Sequence, residues 1–123
     1  VVALGKPFSD YAREAAEACR SHEAPRFCAP ISAWLLARVG LNDDAIDAAE
    51  RLRRERPNAA VGDYIEGLAL VALGQGERAK RAFERCLSAS PSATGCLTEY
   101  NRMQATDGDC VGAEKSARAL LAV

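Results

Sequence analysis

The chain has 123 residues, 49% of them apolar and 27% charged, with a formal net charge of -1. That suits one compact, water-soluble unit and offers no general attraction to nucleic acid or to an anionic membrane surface. The longest apolar runs, such as Leu68 to Leu73, fall far short of the roughly 20 residues a membrane-spanning helix needs. No basic start followed by an apolar stretch marks a secretory signal.

In chain order, "VVALG" (Val1 to Gly5) matches "LVALG" (Leu70 to Gly74) and reads as the tail of a helix whose beginning has been cut away. A helix over 9–22 follows, with Ser9 or Asp10 as its cap. Helices are then predicted over 26–39, 42–56, 60–73, 76–89, 94–106 and 109–122, because apolar residues recur three and four apart. Gly40, Gly74 and Gly108 stand where the first helix of each pair must end and the chain must turn. Pro57 and Pro91 close second helices. Asn42, Asn58, Ser92 and Asp109 carry side chains suited to starting one. Val1 in place of Met, and no polar capping helix after Val123, read as a segment of something longer. Abundant alanine and an excess of arginine over lysine suggest a GC-rich, bacterial source.

The helices recur with one period. Gly40, Gly74 and Gly108 are 34 residues apart, as are Ala45, Ala79 and Ala113. So are Ala49, Phe83 and Ala117, then Leu52, Cys86 and Leu120, and Pro57 and Pro91. The period divides the chain into a partial unit (1–25), two full units (26–59 and 60–93) and a weaker one (94–123) within a single domain.

The period and the Ala-x3-Phe…Pro pattern of Ala79, Phe83 and Pro91, with Gly67 in the small position before them, resemble the tetratricopeptide repeat (TPR) family. Ala33, Ala45, Ala49 and Pro57 fill the same places one repeat earlier. Asp63 and Leu70 stand where the family has Trp and Tyr, and Asn101 stands where a small residue is expected. The resemblance implies an all-α superhelix, a solenoid of antiparallel helix pairs whose first helices line a concave face that binds a peptide or partner helix. The implied lining includes Phe27, Trp34, Arg38, Tyr64, Leu68, Val71 and Arg102. For Trp34 a core position is the competing reading, because Phe27, Ile31, Trp34 and Leu35 follow helical spacing. The carboxylate clamp by which some members hold chaperone tails is absent: Pro30, Trp34, Ile65, Gly95 and Glu99 occupy its positions.

Five cysteines are present. Cys86 lies five residues before Pro91 and Cys96 five after it. Helices folding back about Pro91 bring the two opposite each other, within the span a disulfide requires. Cys19 and Cys28 hold the corresponding places at an earlier junction, while Leu52 and Gly62 stand at the middle one. Two staples, Cys19–Cys28 and Cys86–Cys96, are therefore expected, with four buried free thiols as the alternative. Staples favour a periplasmic or extracellular location, and free thiols a cytoplasmic one. Cys110 is left over, as a free thiol or an intermolecular partner; a Cys96–Cys110 bridge would orphan Cys86.

No catalytic or cofactor chemistry is expected. His22 is the only histidine, too little for a metal site or a Cys–His pair. "GQG" (Gly74 to Gly76) lacks the rest of a phosphate loop. Asp43, Asp44 and Asp47 sit at a helix start and "RLRRER" (Arg51 to Arg56) at a helix end, where each complements the helix dipole. The sequence thus points to a non-catalytic interaction scaffold in a larger exported bacterial protein. The other readings are a recruiting module fused to a catalytic domain such as a kinase, and a self-assembly module.

Overall fold

A computed structural model describes residues 8–21, 23–57 and 59–123. The proposed helix tail at Val1 to Gly5, His22 and the Asn58 cap lie outside the described residues. Among the described residues seven helices follow one another: α1 (Phe8–Ala18), α2 (Cys28–Arg38), α3 (Asn42–Glu55), α4 (Val61–Ala72), α5 (Gly76–Ala89), α6 (Thr94–Thr106) and α7 (Cys110–Leu121). Among the described residues no helix is long and apolar enough to cross a membrane. Each helix packs chiefly on its neighbours in sequence, and α4, between α3 and α5, makes the most extensive contacts.

The turn from first to second helix is built identically three times. Gly40, Gly74 and Gly108 adopt φ of 86°, 76° and 80°, a region L side chains rarely enter. Each glycine donates to the carbonyl three residues back: Gly40 to Ala37, Gly74 to Val71, Gly108 to Ala105. The following residue reaches further, Leu41 to Leu36, Gln75 to Leu70 and Asp109 to Gln104, each at 2.9 Å. This double bond pattern satisfies carbonyls that a helix end leaves open. The same three residues then start the next helix, because their carbonyls accept from Ala45, Ala79 and Ala113.

That sharing displaces the expected Asn42 cap, and two other expected caps also differ. Asn42 is the first residue of α3, after Leu41, which has no capping side chain. Ala93, not Ser92, precedes α6, again without a side-chain cap. Ser9 and Asp10 lie inside α1. Among the described residues only Asp109 caps as expected, accepting from the Gly112 amide at 2.9 Å. Where the glycine turn fixes the start of a helix, the cap position falls on whichever residue follows the glycine.

Small residues set how closely the helices approach. A Cβ at Gly67 would lie 2.6 Å from Cζ of Phe83, so the fully buried Phe83 ring rests on the bare backbone of α4. A Cβ at Gly62 would meet the Ala49 carbonyl of α3 at 3.0 Å. The core forms two clusters, one around Ala33, Leu36, Ala49, Leu52 and Ile65 and one around Leu70, Phe83, Cys86 and Cys96; Tyr64 and Ile46 pack against both.

The last pair reverses the sizes. One period after Gly67 and Phe83 stand Asn101 and Ala117, so the larger side chain is now on the first helix. Asn101 donates its amide to the Ala113 carbonyl (2.7 Å) and to Ser116 Oγ (3.0 Å), and Ser116 donates to Gln104 Oε1 (2.7 Å). Buried polar groups are tolerated when so paired. The weaker repeat is held by a polar chain where its predecessor uses a ring.

Gly67→Ala is expected to destabilise the protein by about 1–3 kcal/mol through overpacking, and Phe83→Ala by about 3–5 kcal/mol through a cavity. Urea unfolding followed by circular dichroism reads both; a Gly67→Ala variant as stable as the parent would contradict this packing.

Candidate partner-binding groove

Trp34 and Arg38 lie one turn apart on α2, and Tyr64 and Leu68 one turn apart on α4. With Ala37 and with Glu99 of α6 they line one groove of about 310 Å³. Trp34 is 42% exposed, so it does not take the core position that its spacing also allowed. The Arg38 guanidinium sits 5.6 Å from the Trp34 ring centre, a cation–π arrangement that holds the indole on the surface. Tyr64 is half-buried, 6.5 Å from the Phe83 ring, and its own ring lies against Gly95, where a Cβ would meet Cε1 at 2.8 Å. Core packing therefore holds one wall of the groove rigid.

The other candidate lining residues lie outside this groove. Phe27, 64% exposed, precedes the first turn of α2, and Val71 is exposed one turn beyond Leu68. Arg102 pairs with Glu99 at 3.0 Å.

The cysteine pairs lie at disulfide distance. Cys19, just after α1, and Cys28, opening α2, have Cα atoms 5.4 Å apart; Cys86 of α5 and Cys96 of α6 have theirs 6.5 Å apart. Cys110 is exposed at the start of α7. At the middle junction, where Leu52 and Gly62 stand, α3 and α4 pack more extensively than α1 on α2 or α5 on α6. The paired cysteines thus sit at the two thinner junctions.

Sequence reasoning missed a charged cluster. Asp63 and Glu66 of α4 are 7% and 5% exposed. Arg53 of α3 reaches Asp63 at 3.5 Å and Glu66 at 3.1 Å; Arg85 of α5 reaches Asp63 at 3.1 Å and also bonds Glu66. Two cations from flanking helices neutralise two anions between them, as buried carboxylates require. The available signal was two acids three apart on an otherwise apolar helix.

Between α5 and α6, Tyr100 donates to Glu84 Oε2 at 2.8 Å. Burial, then the Glu84 hydrogen bond and charge, then Asp109, push its hydroxyl up from 10.0 to about 12.

No family model and no curated protein matches the chain. The geometry itself defines an all-α helical-repeat superhelix, TPR-like in its paired helices. Among solved structures, MamA 41-end from Desulfovibrio magneticus RS-1 superposes with a TM-score of 0.67 at 15% identity. The alignment covers 92% of this chain and 60% of that one, so the chain spans only part of that structure. At this identity the likeness carries the fold.

The raised Tyr100 value has a defined sign. The fold favours the neutral phenol, so its contribution to stability is complete below pH 10 and is lost as pH rises from 10.0 towards about 12. NMR titration of the Tyr100 ring is expected to show the elevated value, and Glu84→Gln to lower it; a Tyr100 that titrates identically in both proteins would refute the Glu84 contribution.

Proposed function

We propose that the chain is a non-catalytic scaffold for protein–protein interaction, binding a peptide or partner helix on its concave face. The single observation that supports this most is the half-exposed Trp34 beside Tyr64 and Leu68, with Arg38 and Glu99 as polar ends. Apolar and aromatic positions one turn apart, on two adjacent helices, suit the anchors of an amphipathic segment. Phe27 and Val71 extend the apolar surface along the same two helices, and Arg102 supplies charge at the α6 end. The repeat units 26–59, 60–93 and 94–123, after a partial unit at 1–25, are the natural modules of such a scaffold.

The paired cysteines support an oxidising compartment, and with it an exported parent protein; the abundance of alanine and arginine supports a bacterial one. In this reading both staples form, each closing a loop of about ten residues worth roughly 2–3 kcal/mol by chain entropy.

Two experiments test these readings. Trp34 is the sole tryptophan, so its fluorescence reports on the groove alone. Peptides selected from a displayed random library are expected to shift that emission. They should bind Trp34→Ala at least about tenfold more weakly, while the variant unfolds within about 1 kcal/mol of the parent, as an exposed site predicts. Peptides that bind both proteins equally would place the interaction elsewhere. For the compartment, alkylation of the native, unreduced protein should modify Cys110 alone, with the other four thiols appearing only after reduction. Five reactive thiols before reduction would remove the argument for export.

A further inference from the structure

The charged cluster around α4 has a counterpart around α2, and the counterpart is incomplete. Registers follow from the buried alanines Ala12, Ala45 and Ala79 that open the second helices. Eight residues after each stand Arg20, Arg53 and Leu87. On the first helices the columns of Asp63 and Glu66 hold Ala29 and Ser32 one period earlier and Leu97 and Tyr100 one period later. The column of Arg85 holds Arg51 earlier and Ala119 later.

One four-position address therefore occurs in three forms. Around α4 it has two arginines and two carboxylates, joined by ion pairs. Around α6 it is almost wholly apolar. Around α2 both arginines are kept and both carboxylates are gone. The result is a cavity of about 720 Å³ between α1 and α3, lined by all four of Arg20, Ala29, Ser32 and Arg51. Its volume lies where the shortened side chains of α2 leave space.

The charges facing this space are unevenly matched. Arg13 is held by Asp44 at 3.2 Å, and Arg20 by the exposed Glu17 at 3.3 Å. Arg56 donates to the Arg26 carbonyl at 3.0 Å, a neutral acceptor. Among the described residues Arg51 and Arg26 have no ion-pair partner, and Asp47 and Glu55, exposed on α3, also line the cavity without one. Ser32 spends its hydroxyl on the Ala29 carbonyl at 3.1 Å, within its own helix, so the floor offers no anion to either arginine.

We propose that this cavity binds a pair of carboxylates carried by an acidic peptide segment of a partner protein. Arg20 and Arg51 grip them as Arg53 and Arg85 grip Asp63 and Glu66. The occupant's chemistry is given by the neighbouring repeat, in which the chain supplies the same pair itself, three residues apart on a helix. Arginine suits the task because its planar fork pairs with a carboxylate through two hydrogen bonds. The site lies in the layer of second helices and is separate from the Trp34 groove, so each stands or falls alone.

The test is an NMR titration of the 123-residue chain with a helical peptide of about a dozen residues carrying Asp and Glu three apart. Its twin carries Asn and Gln instead. The acidic peptide is expected to shift the Nε–H signals of Arg20 and Arg51 saturably, and the twin to leave them unmoved. Arg20→Ala and Arg51→Ala should each weaken binding by about tenfold or more, the scale of a lost charge-assisted pair. The double variant Ala29→Asp with Ser32→Glu, which carries its own carboxylates, should not bind. Should that variant fail to fold, the two arginine variants decide the matter. Equal binding of both peptides, affinity unchanged in both arginine variants, or shifts confined to the Trp34 indole would overturn the proposal. Malonate saturating the same arginines while the peptide does not would overturn it in favour of a free small anion.

Discussion

Helix α4 is held by the absence of side chains. Gly62 lets the backbone of α3 come close, and Gly67 lets the Phe83 ring of α5 rest on bare Cα. Two neighbours at that range leave α4 buried on most of its circumference. Burial on that scale dictates the rest. The acids of α4 must carry their own counterions, which Arg53 and Arg85 bring from either side. Tyr64, on the one open stripe, is clamped between Phe83 behind it and Gly95 beside it. The candidate groove inherits its rigid wall from this packing.

The molecule solves one recurring problem, filling the space between successive second helices, by different physical means. Around α4 it uses ion pairs shielded from water, strong when complete and costly when a partner is lost. Around α6 it uses apolar side chains, with Tyr100 turned to Glu84. In the adjoining pair the size reversal of Asn101 and Ala117 is met with hydrogen bonds. Around α2 the filling is missing. A repeat fold tolerates such variety because each unit contacts little beyond its neighbours.

Features that depend on one residue type at one step were legible in the sequence. The glycine turns, the alanine columns and the cysteine register all come from reading down the 34-residue period, and helix order follows from them. Features that depend on pairs across helices were not. Asp63 read as a missing aromatic and Asn101 as a defect, because their partners lie on other helices at no fixed step. The exposure of Trp34 was ambiguous for a related reason: helical spacing says which residues share a stripe, not which stripe is covered. The Asn42 cap was misplaced because side-chain preference says nothing of the glycine turn that precedes it.

The glycine turns carry one more consequence. Leu41, Gln75 and Asp109 each finish one helix and begin the next through their own backbone groups, Asp109 adding a side-chain cap. A stretch from one of these residues to the next therefore enters and leaves through the same backbone geometry. Such a stretch is a brick with matching faces at both ends: the array can grow or shrink by one length without inventing a new corner. What each added brick alters is its filling, and so the address at which a charged visitor is either already answered or still awaited.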